Sequence, residues 1–339
     1  MKQSTLRKLV SLGLLLVFFA FFSVTAKNFL TPVNIGTIMR EVAVTGLLAI
    51  GVSFCIISMG IDLSTGAVMG LSAMVASRLV TDTLIPIWSI VLIALLVGAA
   101  CGLFNALLVL HFGLHDFIAT FSSAFIFRGI LYMLAYRNAQ GRITTQSISE
   151  PAYLAIGGKV GDFYIMTFIW LAIVIVSYIF LRKTKTGIYF YAVGTNRKSS
   201  EFSGISVVKI KTLAFVLSGL CAALAGVFVL AFQASVGLNT GTSLEFNAIA
   251  MVVVGGVTIT GGRGDTINAA IGSIFMIMVV NALYKYGFST EVQTITYGLV
   301  IMVMAMFDAF FFKWLHARRE KKAKSLEESR QTTGAEGGR

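Results

Sequence analysis

Two histidines, His111 and His115, stand four residues apart and are followed by Asp116, so the group has the residue types of a metal site. On a helix this spacing places both imidazoles on one face, where they could bind zinc. A zinc site needs three or four protein ligands, however, and the group lies at an expected turn between two apolar segments. The third histidine, His316, stands apart in a basic segment. We therefore predict no metal site and no other cofactor.

The glycine-rich segment at residues 255–265, GGVTITGGRGD, resembles a phosphate-binding loop in composition. A loop of the G-x-x-x-x-G-K-[ST] type uses its lysine and hydroxyl to hold phosphate and magnesium, and this segment lacks that pair. The motif is absent from the rest of the 339 residues as well. We predict that the chain hydrolyses no ATP and is not an enzyme.

The elements that position these residues follow from composition, since 57% of the residues are hydrophobic and only 12% are charged. The mean hydropathy of +0.86 is too high for a soluble domain. A bilayer core of about 30 Å needs ~20 apolar residues per helix, and such segments recur from Leu9 to Phe312. The composition therefore predicts an all-α protein that crosses a membrane many times.

We expect about ten transmembrane helices within a single transmembrane domain, residues 1–339, arranged as two related five-helix halves. Gly60, Asp62, Ser64 and Gly66 interrupt the second and third segments. The expected helices cover residues 9–26, 42–58, 64–80, 87–110, 116–135, 163–181, 209–231, 245–260, 266–284 and 293–312.

The first apolar segment has two interpretations. Lys2, Arg7 and Lys8 precede an apolar run that ends in Val24-Thr25-Ala26, which is a plausible cleavage site for a secretory signal. The run is longer than the apolar core of about 7–15 residues in such signals, which favours an uncleaved first helix.

Basic residues predict the orientation, because lysine and arginine in short loops stay on the cytoplasmic side. Residues 182–211 contain seven basic residues and one acidic residue. The tail at 313–339 is also basic, and we expect it to be disordered. Ten helices would place this loop and both termini on the same side, so we predict that all three are cytoplasmic in the cell inner membrane. The net charge of +12 is then a topology signal, with lipid headgroups and not nucleic acid as partners.

Several glycines stand where helix is not expected to continue. Gly60 and Gly66 flank Asp62, and Gly261, Gly262 and Gly264 form a Gly-Gly-Arg-Gly run. Non-helical backbone at membrane depth is tolerated only where protein or water shields it. We predict that these residues form conformational or packing motifs. Close helix packing is predicted in addition where small residues recur four apart, as at Gly98 and Gly102.

The segment YAVGTNRKSSEFSGISVVKIK, residues 191–211, contains a short capped helix by pattern. Asn196 can cap a helix over 197–202 that includes Glu201, and Gly204 can end it in a left-handed conformation. The pattern alone fits a basic inside loop with incidental structure at least as well as it fits a docking site for a partner.

Four segments resemble the permease subunits of ribose/xylose/galactose-type ABC sugar importers. They are ISMGIDLSTGAVMGLSA (57–73), DFIATFSSAFIFRGI (116–130), YAVGTNRKSSEFSGISVVKIKTLAFVLSGLCAALAGV (191–227) and FNAIAMVVVGGVTITGGRGD (246–265). The resemblance runs in consistent order from about Phe29 to Asp308. Met59 and Ser199-Ser200 depart from the family pattern, and the sugar is not readable from the sequence.

The resemblance implies a pair of permease subunits, identical or different, together with two separate ABC ATPase subunits and an external substrate-binding protein. It implies that 182–211 is the cytoplasmic coupling loop, in which Gly194, Asn196, Glu201 and Gly204 meet the ATPase. The segment at 136–161 is then expected outside the cell, where the binding protein docks.

Two other functions remain open. A branched-chain amino acid ABC permease would share the broad fold, and an ion-coupled secondary transporter would use ionisable residues inside the membrane, for which Asp62, Asp265 and Arg128 are the candidates. Five residues are predicted to line the substrate path because hydroxyl-rich substrates favour amides, hydroxyls and aromatic faces, although each would also serve as an interhelical contact. They are Asn105, Phe117, Thr120, Ser123 and Asn247.

Overall fold

The computed structural model describes residues 3–300, 302, 303 and 306, with side chains from Lys8 onward. The basic tail at 313–339 and the end of the expected helix at 293–312 lie outside the described residues. Residues 290–300 are helical. The remaining helices are α1 (Gln3–Thr25), α2 (Pro32–Ile57), α3 (Thr65–Asp82), α4 (Ile87–Leu110), α5 (Asp116–Leu134), α6 (Pro151–Leu154), α7 (Ile165–Lys183), α8 (Lys185–Thr195), α9 (Arg197–Phe202), α10 (Val207–Gln233), α11 (Leu244–Val254) and α12 (Thr266–Lys285).

The predicted all-α membrane class is confirmed, whereas the count of ten transmembrane helices is not. Within the described residues, seven helices are long and apolar enough to cross a membrane, namely α1, α2, α4, α5, α7, α10 and α12. Helix α3 has 18 residues but contains Arg78 and Asp82 in its last turns.

The expected transmembrane helix at 245–260 is wrong in length. Helix α11 has 11 residues and ends at Val254, because Gly256 has a left-handed φ of 93° that no helix can continue through. At 1.5 Å per residue α11 is about 16 Å long, roughly half of a bilayer core. The chain must therefore reach membrane depth by another route before α11 begins.

Helices α2 and α10 form the centre of the fold. Helix α10 packs against α2, α3 and α4, and α2 also contacts α7, α11 and α12. A Cβ atom on Gly98 of α4 would lie 2.3 Å from the carbonyl oxygen of Gly219 on α10, and one on Gly102 would lie 2.2 Å from that of Phe215. The predicted close packing through Gly98 and Gly102 is therefore confirmed.

Two non-helical segments interrupt the helices inside the fold. The first break, residues 58–64, separates α2 from α3, and the second break, residues 255–265, separates α11 from α12. Both lie toward the end of the molecule that carries α9, which we call the α9 end. The opposite, far end carries two short antiparallel ribbons, β1 (Gln146–Ser147) with β4 (Ser235–Val236) and β2 (Lys159–Val160) with β3 (Phe163–Tyr164).

Candidate functional site

Helix α9 has the boundaries and caps that its sequence predicts. The Asn196 side chain accepts a hydrogen bond from the Ser199 amide at 3.0 Å, which satisfies one free N–H of the first turn. At the other end Gly204 has φ 78°, its amide bonds the Glu201 carbonyl at 3.0 Å, and the Ile205 amide bonds the Ser200 carbonyl at 3.0 Å. This pair of bonds is a Schellman motif, which fixes where the helix stops.

The surface of α9 is exposed except at Ser200. Arg197 and Glu201 form an exposed ion pair at 3.1 Å along one face. Phe202 is 92% exposed, so a large apolar side chain stands beside charged groups at the tip of the molecule. Sequence reasoning did not single out Phe202. An aromatic residue at the end of a capped polar helix was the signal that could have identified it, because aromatic side chains are typical anchors of protein interfaces.

Gly194, near the end of α8, brings α8 into contact with the last residue of α2, beside the first break, and with the second break. A Cβ atom here would lie 1.9 Å from the carbonyl oxygen of Ile57 and 2.6 Å from the amide nitrogen of Gly262. Those two backbone groups hydrogen bond to each other at 2.9 Å. A Cβ atom on Gly261 would lie 2.8 Å from the Gly194 carbonyl. Backbones from α2, α8 and the second break therefore meet where only glycine fits.

The first break is organised around Asp62, which is 1% exposed. One carboxylate oxygen accepts hydrogen bonds from the amide and hydroxyl of Ser64 at 2.9 and 2.7 Å, and the other accepts the Ser218 hydroxyl of α10 at 2.7 Å. Asn105 of α4 donates to the Ser64 hydroxyl at 2.8 Å and accepts from Ser123 of α5. A continuous hydrogen-bond network thus joins the break to three helices.

Thr120 connects the same break to the start of α5. Its hydroxyl accepts the Leu63 amide at 3.1 Å and donates to the Asp116 carbonyl at 2.8 Å. The Asp116 carboxylate pairs with Lys211 of α10 at 2.9 Å, and both side chains are largely buried. His115 caps α5 by accepting the Phe117 amide at 3.4 Å. Among the described residues, no group of three potential metal ligands is found.

The second break ends at Asp265, which is fully buried and caps α12 by accepting the Asn268 amide at 3.2 Å. The other carboxylate oxygen pairs with Lys8 of α1 at 2.5 Å and with Arg182 of α7 at 2.8 Å. Asp265 therefore ties the first helix and the helix before α8 to the start of α12. Gly264, beside it, has φ 104°.

The five predicted path residues divide into two groups. Asn105, Thr120 and Ser123 are fully buried and lie together in the hydrogen bonds around the first break. Phe117 is 48% exposed and stacks on Phe121 with ring centroids 5.9 Å apart, and Asn247 is half-buried in α11. Their lining of a substrate path stays a prediction.

A cavity of about 530 Å³ lies at the far end between α2, the end of α10 and the loop that leads to α11. Sequence reasoning did not find it, although the loop contains the run GLNTGT, residues 237–242, whose amides and hydroxyls were the available signal. Eight residues with polar side chains line the cavity, namely Glu41, Thr45, Thr145, Gln233, Ser235, Asn239, Thr240 and Thr242.

Arg128 of α5 fixes the loop beside this cavity. Its Nη1 donates to the Thr240 carbonyl at 2.6 Å and to the Leu238 carbonyl at 3.3 Å. A Cβ atom on Gly66 of α3 would lie 2.3 Å from the Gly241 carbonyl, so the loop also packs directly on α3. Gly66, which was predicted to serve in packing, packs against this loop.

Comparison with known proteins decides the family. The sequence profile of the family described as branched-chain amino acid transport system / permease component matches residues 34–305. The chain belongs to this family. Among relatives of this permease component, the ribose import permease of Haemophilus influenzae is 33% identical over 87% of this chain and 91% of its own length.

Other relatives of this permease component are also named as sugar permeases. The ribose import permease of Bacillus subtilis is 31% identical over 84% of this chain and 88% of its own length. The L-arabinose ABC transporter permease of Azospirillum brasilense is 33% identical over 87% of this chain and 85% of its own length. No solved structure matches the chain. Family membership and the seven long apolar helices among the described residues together identify a multi-pass membrane permease component.

Proposed function

We propose that the chain is the membrane-spanning permease subunit of an ATP-driven ABC importer for a sugar or a sugar-like hydroxylated small molecule. Its relatives are named as importers of ribose or L-arabinose, which supports this substrate class over branched-chain amino acids. The observation that carries the proposal is α9, an exposed helix with a fixed start and stop between α8 and α10. Such a helix suits docking by a separate ATPase subunit, and an external binding protein delivers the sugar at the far end.

The α9 end is cytoplasmic in this proposal, as are both termini. Support comes from the excess of lysine and arginine in 182–211, because these residues are retained on the cytoplasmic side. The far end, with its two ribbons, then faces outward, and the protein resides in the cell inner membrane.

Transport is proposed to be a two-state process in which α9 moves with the ATPase. Helix α8 would move together with α9, because only Asn196 separates the two helices. Gly194 of α8 touches both Ile57 and Gly262, so a movement of α8 displaces the first and second breaks together. Rigid-body movements of this kind convert one access state to the other.

The substrate path and the second permease subunit complete the proposal. Phe117, Phe121 and Phe125 form an exposed aromatic face on α5, which suits either lipid or a second permease subunit, identical or different. The substrate path is proposed to be lined by Asn105 of α4 and by Thr120 and Ser123 on the inner side of α5, together with Phe117 and Asn247. The two related halves are proposed from the helix breaks, one in each half.

Coupling through α9 is tested by uptake into proteoliposomes that contain the ATPase and the binding protein. Gly204→Val should abolish at least nine-tenths of ATP-driven uptake, because a left-handed backbone at a β-branched residue costs about 1–2 kcal/mol and displaces the helix stop. Glu201→Lys should act in the same direction by placing a wrong charge on the docking surface.

Gly113→Val is the matched control for this test. Gly113 also has a positive φ, 71°, and no atom within 4 Å of a Cβ placed there. It lies between α4 and α5 and therefore outside α9. It should retain most of the uptake. Full transport by both the Gly204 and Glu201 variants would remove α9 from the mechanism, and uptake on an ion gradient without ATP would favour a secondary transporter.

The proposed orientation is tested by labelling a cysteine at Ser147 in β1, which is exposed at the far end. In intact cells an impermeant maleimide should modify Ser147→Cys readily, whereas Ser203→Cys at the end of α9 should react only after the cells are opened. The reverse pattern would contradict the orientation.

A further inference from the structure

We propose that the far-end cavity is a binding site for a neutral sugar within a single permease subunit, an inference that rests on the proposed function. The cavity volume of about 530 Å³ falls in the range of about 300–1,000 Å³ that is usual for small-molecule sites. Its occupant is argued below from the loop that forms it, from its free polar groups and from its charge.

The loop at 234–243 enters the membrane-spanning part of the protein. Helix α11 is too short to cross a bilayer, so the chain between α10 and α11 must turn inward, and its contacts with Gly66 of α3 and Arg128 of α5 show that it does. Irregular backbone at such depth is found only where it is buried in protein or lines a water-filled cavity. This loop does both.

Both ends of the loop are held in unfavourable backbone conformations. Ala234, after the last residue of α10, has φ 51°, and Ser243, before the first residue of α11, has φ 64°. Left-handed conformations at residues other than glycine are strained and cluster at functional sites. The loop bonds to itself between these points, since the Thr240 hydroxyl accepts the Gly237 amide at 3.1 Å. The cavity wall is therefore preformed.

The cavity offers hydrogen-bonding groups that the protein does not use. Within the part of the chain that the structure describes, the side chains of Gln233 and Asn239 have no hydrogen-bond partner, and both are exposed to the cavity. Amides supply two donors and one acceptor each, which matches the mixed donors and acceptors of vicinal hydroxyl groups. Val44 and Met69 add an apolar part to the cavity wall, which suits the C–H faces of a sugar.

The charges near the cavity favour a neutral ligand. The one ionisable lining residue, Glu41, already pairs with Arg40, whose guanidinium stacks on Phe232 at 3.7 Å. The N-terminal turn of α11 at the base of the cavity would attract an anion, but Glu245 occupies that first turn. The described residues that line the cavity include no cation to pair with the carboxylate of an amino acid or with a sugar phosphate, whereas an uncharged sugar needs none.

The cavity is continuous with the surface proposed to receive the binding protein. Ser235 lines the cavity and pairs with Ser147 across the β1–β4 ribbon, and Thr145 of the same outer segment lines it too. A sugar released at this surface would therefore have direct access to the cavity that Gln233 and Asn239 line.

The site is tested by cysteine protection on the full-length chain in lipid nanodiscs, with Cys55, Cys101 and Cys221 replaced by alanine. Thr242→Cys, which lies in the cavity wall but leaves Gln233 and Asn239 intact, is labelled with a maleimide in the presence of D-ribose, D-allose, D-fructose or L-arabinose. At least one sugar should slow the labelling at least threefold, and leucine should not. The control Ser147→Cys, at the same end but outside the cavity, should label at one rate throughout.

A second variant measures the contribution of Gln233. In the Thr242→Cys background, Gln233→Leu should raise the half-protecting sugar concentration about three- to tenfold, as the loss of one or two hydrogen bonds predicts. Gln146→Leu, the same change on the neighbouring β1 strand, should leave it unchanged. Equal shifts in both variants would overturn the assignment.

The failure of this site and of the proposed function are distinguishable. If wild-type transporter imports a sugar with ATP but none of the four sugars protects Thr242→Cys, the cavity site is wrong and the proposed function stands. Protection by leucine would overturn the neutral-sugar specificity. If a sugar protects Thr242→Cys but is not imported with ATP, the site stands and the proposed function is wrong.

Discussion

The two helix breaks bury one aspartate each but neutralise it in different ways. Asp62 of the first break accepts hydrogen bonds from Ser64 and Ser218, and no salt bridge reaches it among the described residues. Asp265 of the second break binds two cations, Lys8 and Arg182. Hydroxyl donors can exchange partners at small cost, whereas a buried charge that loses its cation is strongly penalised.

The difference suggests different mechanical roles. The hydroxyl network around Asp62 connects neighbouring helices α4, α5 and α10, which can shift relative to one another if serine hydroxyls rotate. The ion pairs of Asp265 hold α1 and α7 to α12 and leave the second break as the more fixed point. In the proposed transport cycle, α8 would then pull the first break against the second.

The largest effect is expected from Asp265→Asn. Asparagine is an equally good helix cap, so the change isolates the charge. Lys8 and Arg182 lose their common acid, and because both are partly exposed we expect a loss of about 2–3 kcal/mol, below the value for fully buried pairs. Thermal unfolding in detergent measures it, and Asp62→Asn in parallel should cost less.

A double-mutant cycle provides the control for this prediction. Arg182→Gln alone should destabilise the protein, and adding it to Asp265→Asn should cost much less than the sum. A greater loss from Asp62→Asn than from Asp265→Asn would reverse the proposed comparison.

A somewhat smaller effect is expected from Gly194→Ala, which forces the two breaks apart. The new methyl group would lie 1.9 Å from the Ile57 carbonyl, and overpacking of this kind costs about 1–3 kcal/mol. Uptake should fall as well, because the contact carries movement from α8. Gly13→Ala, which has open space around it, is the control. Unchanged melting and unchanged uptake in Gly194→Ala would contradict the contact.

The smallest effect is expected from Ser218→Ala at the first break. It removes one hydrogen bond to the Asp62 carboxylate, which should cost about 1–2 kcal/mol. Ser273→Ala is a matched control, since Ser273 is equally buried but its hydroxyl bonds only to the Ala269 carbonyl of its own helix. If the two alanine variants melt alike, the Asp62 network is not what holds the first break.

Capping residues in the sequence correctly predicted helix α9, whose start and stop depend only on residues that are close along the chain. Helix α9 begins and ends where Asn196 and Gly204 indicate, because capping requires only groups within five residues along the chain. The same reasoning failed for 245–260, where hydropathy continues past Val254 but the backbone does not. Apolar composition measures compatibility with lipid and says little about where a helix stops.

The sequence by itself determined the membrane class, most helix positions, the capped helix α9 and the family resemblance, since each follows from composition or from short-range patterns. Only the tertiary structure decided the partners of Asp62 and Asp265, the meeting of Gly194 with both breaks and the inward loop held by Arg128. These contacts join residues that are about 70 to 260 positions apart. The physical reason is that a buried polar group must find a partner somewhere, but which one it finds depends on how the helices pack.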